Sequence, residues 1–367
     1  MTALIQTQVT NAIGNITLDR PKALNSLSLA MVRELTGIVL GWRDAATVRA
    51  VVITGSTGKA FCAGGDIRFF YEAGLSTPQG GSAALDDFFS EEYALNHLIH
   101  FFPKPWIAVM DGIVMGGGMG LAQSGVQNRL RIVTERTRMA MPEVNIGLFP
   151  DVGGSYFLSR SADQLGTYLG VTGEMIGAAD ALYAGLADVF IPSSELPALR
   201  TLLEHDNSAD VRHAIREFAS AFRDQCDPAG STLARHHAAI RQHFSLPSVP
   251  DIVASLSQDD SDFAQTTLAL MQKRSPLMMS VTLRQVRLGA TLDLAGCLRM
   301  ERTMVRRAFE RGEVLEGIRA VVIDKDNQPQ WQPATLAEVT TEMVDAFFVP
   351  AWPAQAHPLR DLVSSVA

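Results

Sequence analysis

The sequence predicts a layered α/β core followed by a mainly helical region. Three observations carry that prediction. Apolar runs of strand type, such as Ala50–Thr54 and Pro105–Met110, recur between helix-periodic stretches up to about residue 192. Both runs open into loops of glycine and other small residues, 55–66 and 111–120. Beyond about residue 200, helical patterns dominate. We therefore divide the 367 residues into an α/β core, 1–200, and a mainly helical C-terminal region, 201–367, packed on it without a long linker.

Taken in order, residues 4–18 alternate as two short strands, with Gly14-Asn15 as the hairpin turn. Ser28 caps a helix whose apolar stripe is Val32, Leu35, Val39 and Trp42. Ala50–Thr54 is a buried strand, and Gly55 to Asp66 is a loop. Gly74 to Ser82, rich in Gly, Ser, Pro and Gln, is predicted to be mobile. A helix from about Ala84 to Phe102 follows, with Leu85, Phe88, Leu95, Ile99 and Phe102 on one face. Pro105–Met110 is a second buried strand, leading through Asp111–Gly120 into a helix. In the second half, Asp227–Gly230 and Ser245–Pro250 break the helical pattern. Ala320–Ile323 reads as a short strand before a turn, Asp324–Asn327.

Composition excludes several function classes. The balance of 47% hydrophobic and 19% charged residues is that of a globular protein. A net charge of −8 argues against a nucleic-acid surface. Three scattered cysteines, Cys62, Cys226 and Cys297, support neither a disulfide framework nor a zinc site. The first residues lack the pattern of a signal or transit peptide, and no apolar run is long enough for a membrane helix. The expectation is a cytoplasmic protein with no metal, no nucleic-acid partner and no membrane partner.

The stretch from Met141 to Gly154 carries the strongest chemical signal. Glu143 stands among Met141, Val144, Ile146, Leu148 and Phe149, and Asp151 stands between a proline and a glycine pair. Poor solvation disfavours a charged carboxylate and moves it toward the range useful for proton transfer. The competing reading of Glu143 is a surface strand with the acid facing outward. Glu92 lies on the burying stripe of its helix, between Phe88 and Leu95, and needs a partner or a task. Two glycine clusters, Ala63-Gly64-Gly65-Asp66 and Gly116-Gly117-Gly118, follow the predicted strands, where N–H groups can approach a ligand closely. One N–H from each would make an oxyanion hole for a carbonyl; ordinary strand-to-helix turns are the alternative.

Other signals fail. Gly55–Ala60 imitates a phosphate loop but lacks its leading glycine and its terminal hydroxyl. Ser56 with Lys59 is a common coincidence, Cys62 suits a small buried thiol, and His236, His237 and His243 have no carboxylate at metal-site spacing.

Phe61–Ile67, Met115–Leu121 and Met141-Pro142-Glu143 together resemble the crotonase (enoyl-CoA hydratase/isomerase) superfamily. Within it, the similarity is greatest to the branch that hydrolyses 3-hydroxyisobutyryl-CoA. It extends through Arg20–Asn25, Glu91–Asn96, Ile146–Gly154, Thr282–Arg284 and Glu316–Asp326, with Trp331 and Pro333. The resemblance implies a spiral core of repeated ββα units and an acyl-CoA thioester as substrate. Coenzyme A would enter as part of that substrate, with no separate cofactor. Carried over by position, the N–H groups of Gly65 and Gly117 hold the thioester oxygen. Lys22, Ala23 and Leu24, with Ala63, Gly64 and Asp66, hold adenine and pantetheine, and Arg20, Lys22 and Lys59 are the basic groups for the phosphates. Glu92 and Phe149 contact the acyl portion.

Hydratases of the family use two glutamates, and the first of these positions is Gly120 here. Asp151 replaces the usual small residue at the second proline motif. The resemblance thus implies hydrolysis to CoA and 3-hydroxyisobutyrate, in valine breakdown, with Glu143 and Asp151 as catalytic residues. Glu143 either activates water or attacks the thioester; Asp151 orients the substrate hydroxyl or water, or merely caps the following helix. The alternatives are an enoyl-CoA hydratase or isomerase and a non-catalytic acyl-CoA-binding protein. Family members assemble as trimers or hexamers, so this chain is either a homo-oligomer or one whose C-terminal region covers that surface.

Overall fold

The computed structural model describes residues 3–77, 81–125 and 128–364. The first half of the chain runs β1 (Ile5–Thr10), β2 (Ile13–Leu18), α1 (Leu29–Arg43), β3 (Ala50–Gly55), β4 (Ala60–Cys62) and α2 (Ile67–Ser76). It continues with α3 (Ala83–His100), β5 (Trp106–Met110), β6 (Ile113–Met115), α4 (Gly117–Gln123), β7 (Arg129–Val133) and β8 (Arg138–Ala140). Next come α5 (Gly154–Leu158), α6 (Leu165–Thr172), α7 (Ala178–Tyr183), β9 (Val189–Phe190), α8 (Leu196–His205) and α9 (Val211–Ser220). The remainder is helical: α10 (Thr232–Phe244), α11 (Val249–Ser257), α12 (Asp262–Met271), α13 (Pro276–Gly289), α14 (Leu294–Arg311), α15 (Glu313–Ile318) and α16 (Thr341–Asp345). The architecture is therefore α/β, with a mainly helical C-terminal region.

Two compact units interleave along the chain. One comprises Met1–Gly65, Leu95–Ala140 and Ile176–Arg235; the other comprises Asp66–Ala94, Met141–Met175 and His236–Ala367.

The first unit holds both sheets. The larger has the order β1-β2-β3-β5-β7-β9, antiparallel between β1 and β2 and parallel thereafter. The smaller is parallel, in the order β4-β6-β8. The successive pairs β3 and β4, β5 and β6, and β7 and β8 thus each contribute one strand to each sheet. On one face of the larger sheet, Val52, Ile107, Val109, Leu130 and Ile132 pack against Leu199 and Leu203 of α8 and Ile215 and Ala219 of α9. Val51 and Ile53, which point the opposite way, are buried too. That explains why β3 reads as a continuous apolar run rather than an alternating one.

The second unit is helical. Its aromatic cluster joins Phe69 and Phe70 of α2, Phe88, Phe89 and Tyr93 of α3, and Phe309 of α14. The Leu85–Phe88–Leu95–Ile99–Phe102 face predicted for α3 is buried throughout. His243 is buried as well, with Nδ1 on Ser255 Oγ at 2.8 Å and Nε2 on Asp259 at 3.1 Å.

Four local expectations are corrected. The hairpin turns at Asn11-Ala12, not Gly14-Asn15. Asn11 tolerates the left-handed backbone, and its Nδ2 donates to the Leu203 and Asp206 carbonyls. Gly14 lies inside β2, where a Cβ would sit 2.5 Å from the Trp42 ring. The predicted loops 55–66 and 111–120 contain β4 and β6, whose three residues are too few to show a period. Gly74–Ser76 closes α2 rather than belonging to a mobile segment, and residues 78–80 of that segment lie outside the described residues. Finally, Ala320–Ile323 is no strand. Residues Arg319–Ile323 form a π-helical turn continuing α15, and of that turn only Ala320 is buried. Arg319 fixes it through Glu316, Asp324 and Asp326.

Candidate active site

Four carboxyl groups and a phenol gather within the helical unit. Glu92 and Tyr93 project from α3, Glu143 from a 3-10 turn (Glu143–Ile146), and Asp151 from the loop before α5. Glu301 belongs to α14. Their exposures are 2%, 0%, 6%, 5% and 0% respectively. So many carboxyls in an apolar surround are costly unless paired or put to use.

The loop holding Asp151 is fixed from three sides. Tyr93 Oη donates to Asp151 Oδ2 at 2.6 Å. The N–H groups of Gly153 and Ser155 donate to Glu301 at 2.8 and 2.9 Å, and the Ser155 hydroxyl bonds the same carboxyl. Gln285 of α13 donates to the Pro150 carbonyl at 2.5 Å. Asp151 makes no side-chain cap on α5, so the cap-only reading of this residue does not describe the structure. Glu301 instead satisfies the N–H groups at that helix start.

Glu143 opens a turn sealed behind by α13 and α15. Ser275 N donates to the Val144 carbonyl at 3.1 Å. Gly147 has φ +68, and a Cβ there would lie 2.4 Å from the Glu313 carbonyl oxygen, so only glycine fits. Glu143 Oε2 and Glu92 Oε1 are buried and find no hydrogen-bond partner among the described residues. Buried carboxyl oxygens left without a partner need an explanation, and a polar ligand group is one that would satisfy them.

Electrostatics follows from burial. Glu143 is raised well above the usual carboxylate range by desolvation first, then by the charges of Asp151, Glu92 and Glu301. Desolvation and Asp151 raise Glu92 in the same way. Asp151 rises to about 6, because burial outweighs the Tyr93 hydrogen bond that favours its charged form. Glu301 rises to about 8, burial again outweighing its bonds from Ser155 and Gly153.

These acids hold protons in the folded chain that the unfolded chain releases near pH 3.8 for Asp151 and near pH 4.5 for the glutamates, so stability falls as pH rises through their folded pKa values. The melting temperature is therefore expected to decline between about pH 5 and about pH 8, the window set by Asp151 and Glu301. A thermal-melting series checks this, and a melting temperature that climbs across that window would contradict it.

The sheet-bearing unit holds the glycine clusters. β4 and β6 are parallel neighbours, so 63–65 and 116–118 leave from the same end of their sheet. They meet closely. Gly64, with φ +97, would place a Cβ 3.3 Å from the Met115 carbonyl oxygen and 3.7 Å from Gly117 N. Leu24 of the Lys22-Ala23-Leu24 turn accepts a bond from Ala63 N at 3.0 Å, and Leu27 N donates to the Gly64 carbonyl at 2.8 Å. Buried Asn25 ties that turn to β4 through the Ala60 carbonyl. Lys22 and Leu24 are exposed, as is Lys59. These segments form one platform. At Gly118 a Cβ would fall 2.3 Å from the Cys62 carbonyl oxygen, so Gly118→Ala is expected to destabilise the chain by about 1–3 kcal/mol. An unchanged denaturation midpoint would refute this close fit.

Of the residues singled out in the sequence, the helical unit brings together Glu92, Glu143 and Asp151. Phe149 lies nearby in sequence and is fully buried. Asp66 caps α2 by accepting from Phe69 N at 3.2 Å. The platform brings together Lys22, Ala23, Leu24, Ala63, Gly64, Gly65 and Gly117, and Gly120 is buried in α4. Sequence reasoning missed Tyr93 and Glu301. Glu301 carried a readable signal, because it lies on the buried stripe Leu294–Cys297–Leu298–Met304–Val305–Ala308.

A family model described as enoyl-CoA hydratase/isomerase matches residues 13–348. The mitochondrial 3-hydroxyisobutyryl-CoA hydrolase of Gallus gallus is 40% identical over 343 residues, covering 92% of this chain and 86% of that protein. A solved carnitinyl-CoA dehydratase from Mycobacterium thermoresistibile superposes with a TM-score of 0.87 at 37% identity, covering 96% of this chain and 98% of that one. An enoyl-CoA hydratase structure from Rhodobacter sphaeroides gives 0.83 at 35% identity, with coverages of 95% and 98%. The names of these relatives differ in reaction type.

Proposed function

The chain belongs to the enoyl-CoA hydratase/isomerase (crotonase) family, and from that premise we propose that it is a thioester hydrolase converting 3-hydroxyisobutyryl-CoA and water to CoA and 3-hydroxyisobutyrate. One observation carries the choice of reaction. Asp151 is presented by the Tyr93 hydroxyl in the same acid cluster as Glu143, while α4 carries Gly120 where the family's hydratases have a glutamate.

In this proposal the N–H groups of Gly65 and Gly117 hold the thioester oxygen. Each oxyanion donor of this kind is worth about 3–4 kcal/mol in acyl-transfer enzymes. Glu143, once ionised, takes a proton from water as the water oxygen bonds the carbonyl carbon. The C–S bond then breaks and the proton passes to the departing CoA sulfur. In the alternative route the Glu143 carboxylate bonds the carbonyl carbon itself, expelling CoA thiolate, and water resolves the mixed anhydride. Asp151 orients the substrate hydroxyl or the water, and the partnerless Glu92 oxygen accepts from the substrate hydroxyl. Phe149 walls the acyl group, and the Lys22–Leu24 and Ala63–Asp66 segments hold the CoA moiety. The product assigns the chain to valine breakdown.

The test is release of free thiol from 3-hydroxyisobutyryl-CoA. Saturable turnover is expected, and no thiol above the enzyme-free control overturns the proposal. Hydration is the second reading. It draws support from the two solved relatives and from Glu92 as a second buried acid near Asp151.

No helix among the described residues is long and apolar enough to cross a membrane. Our assignment to the cytosol rests on the sequence, whose three scattered cysteines suit a reducing compartment. The Gallus gallus relative is described as mitochondrial, and cell fractionation decides between the two.

A further inference from the structure

Glu301 and Arg302 are consecutive on α14, in the helical C-terminal part of the chain, and they reach two different elements. Glu301 is wholly buried and receives the N–H groups of Gly153 and Ser155 together with the Ser155 hydroxyl. It therefore holds the residues immediately after Asp151. Arg302 is 1% exposed and donates to Ser90 Oγ at 2.9 Å and to Asp86 Oδ1 at 2.5 Å, both on α3. Its guanidinium also stacks over Trp352. One turn further along α3 from Ser90 stands Tyr93, the donor to Asp151. A single helix thus references both partners of the Tyr93–Asp151 bond to one frame.

The chemistry of the contacts argues against a packing role alone. A carboxyl with no exposure is an expensive way to fill space, and a leucine of similar bulk would pack there at lower cost. What a carboxyl supplies and leucine cannot is a fork of acceptors for two backbone N–H groups and a hydroxyl in fixed geometry. Those donors begin two residues after Asp151, so they set where its backbone leaves the loop.

We propose that Glu301 is a positioning residue for the hydrolysis: by clamping the Gly153–Ser155 backbone it fixes Asp151 in the orientation that receives the Tyr93 hydroxyl. This rests on the hydrolase reading above. Glu301 touches neither the thioester nor the attacking water; it acts through Asp151.

The experiment is a double-mutant cycle on thiol release from 3-hydroxyisobutyryl-CoA with Glu301→Gln, Tyr93→Phe and the pair. Glu301→Gln is expected to lower kcat between about tenfold and about a hundredfold, the cost of misplacing a reacting group by an ångström or less, with KM within about threefold of the parent. In the Tyr93→Phe background the same substitution should cost less than about threefold, because both changes release the same carboxylate. Calorimetric binding of free CoA, expected to be unchanged, shows that each variant is folded. An unchanged kcat in Glu301→Gln, or equal losses in both backgrounds, overturns the positioning role. If Glu301→Gln yields no folded protein, Ser155→Ala takes its place in the cycle: it removes one of the three donors, and the same coupling to Tyr93 is expected at smaller size. Parent enzyme that releases no thiol would instead refute the hydrolase reading, so the two failures are distinguishable.

Discussion

Glu143→Gln is expected to lower kcat for thioester hydrolysis by about 10²–10⁴-fold, the range typical of a positioned acid–base group. The substitution keeps shape and neutrality. Desolvation and three neighbouring acids already favour the protonated, uncharged form of Glu143 at rest, so glutamine imitates the resting state. The fold and CoA binding should survive, and the melting temperature at alkaline pH should rise, because one source of buried charge is gone. In the parent the same raised pKa has a kinetic signature. Glu143 must lose its proton before it can act as base or nucleophile, so kcat/KM is expected to climb with pH through a midpoint displaced above the ordinary carboxylate value near 4.5. A pH–rate profile of parent and variant checks both statements. A variant that retains more than about a tenth of parental kcat would remove Glu143 from the chemistry.

Asp151→Asn is expected to cost at least about a hundredfold in hydrolysis. Its amide oxygen still accepts from Tyr93 Oη, so the loop stays in place, and Gly153 and Ser155 remain bound to Glu301. What disappears is the negative charge that Asp151 can carry above its pKa of about 6, and with it the group assigned to orient water or the substrate hydroxyl. Asp151→Gly removes the side chain altogether and should lose hydrolysis at least as deeply, while free CoA binds as before. Comparing the two separates charge from shape. Parental turnover in both would leave Asp151 no part in the reaction. A helix-capping role would not account for a loss, since the structure gives that task to Glu301.

Much of the site was legible because misplaced carboxylates are conspicuous. Glu143 among apolar neighbours and Glu92 on the burying stripe of α3 both break the rule that charged residues stay exposed. Glu301 breaks it too, on α14, but a helix far along the chain offered no nearby glycine loop to suggest a ligand. Tyr93 gave no signal, since a tyrosine on an apolar helix face is ordinary core. The longer strands were readable from burial on both faces, as in β3. The three-residue strands β4, β6 and β8 were not, because three residues carry no period. The run Ala320–Ile323 misled for a related reason: four apolar residues fit a strand or a helix equally, and here the preceding helix and the Arg319 ion pairs decide. The hairpin was readable as a hairpin but misplaced, because Gly14 answers to the Trp42 ring and not to turn geometry.

The central claim is that this acid cluster makes a hydrolase from a fold whose relatives include hydratases. The direct measurement runs thiol release from 3-hydroxyisobutyryl-CoA and water addition to crotonyl-CoA side by side on one enzyme preparation. Hydrolysis is predicted to dominate, with crotonyl-CoA hydration at background. Efficient hydration of crotonyl-CoA without thiol release would contradict the account.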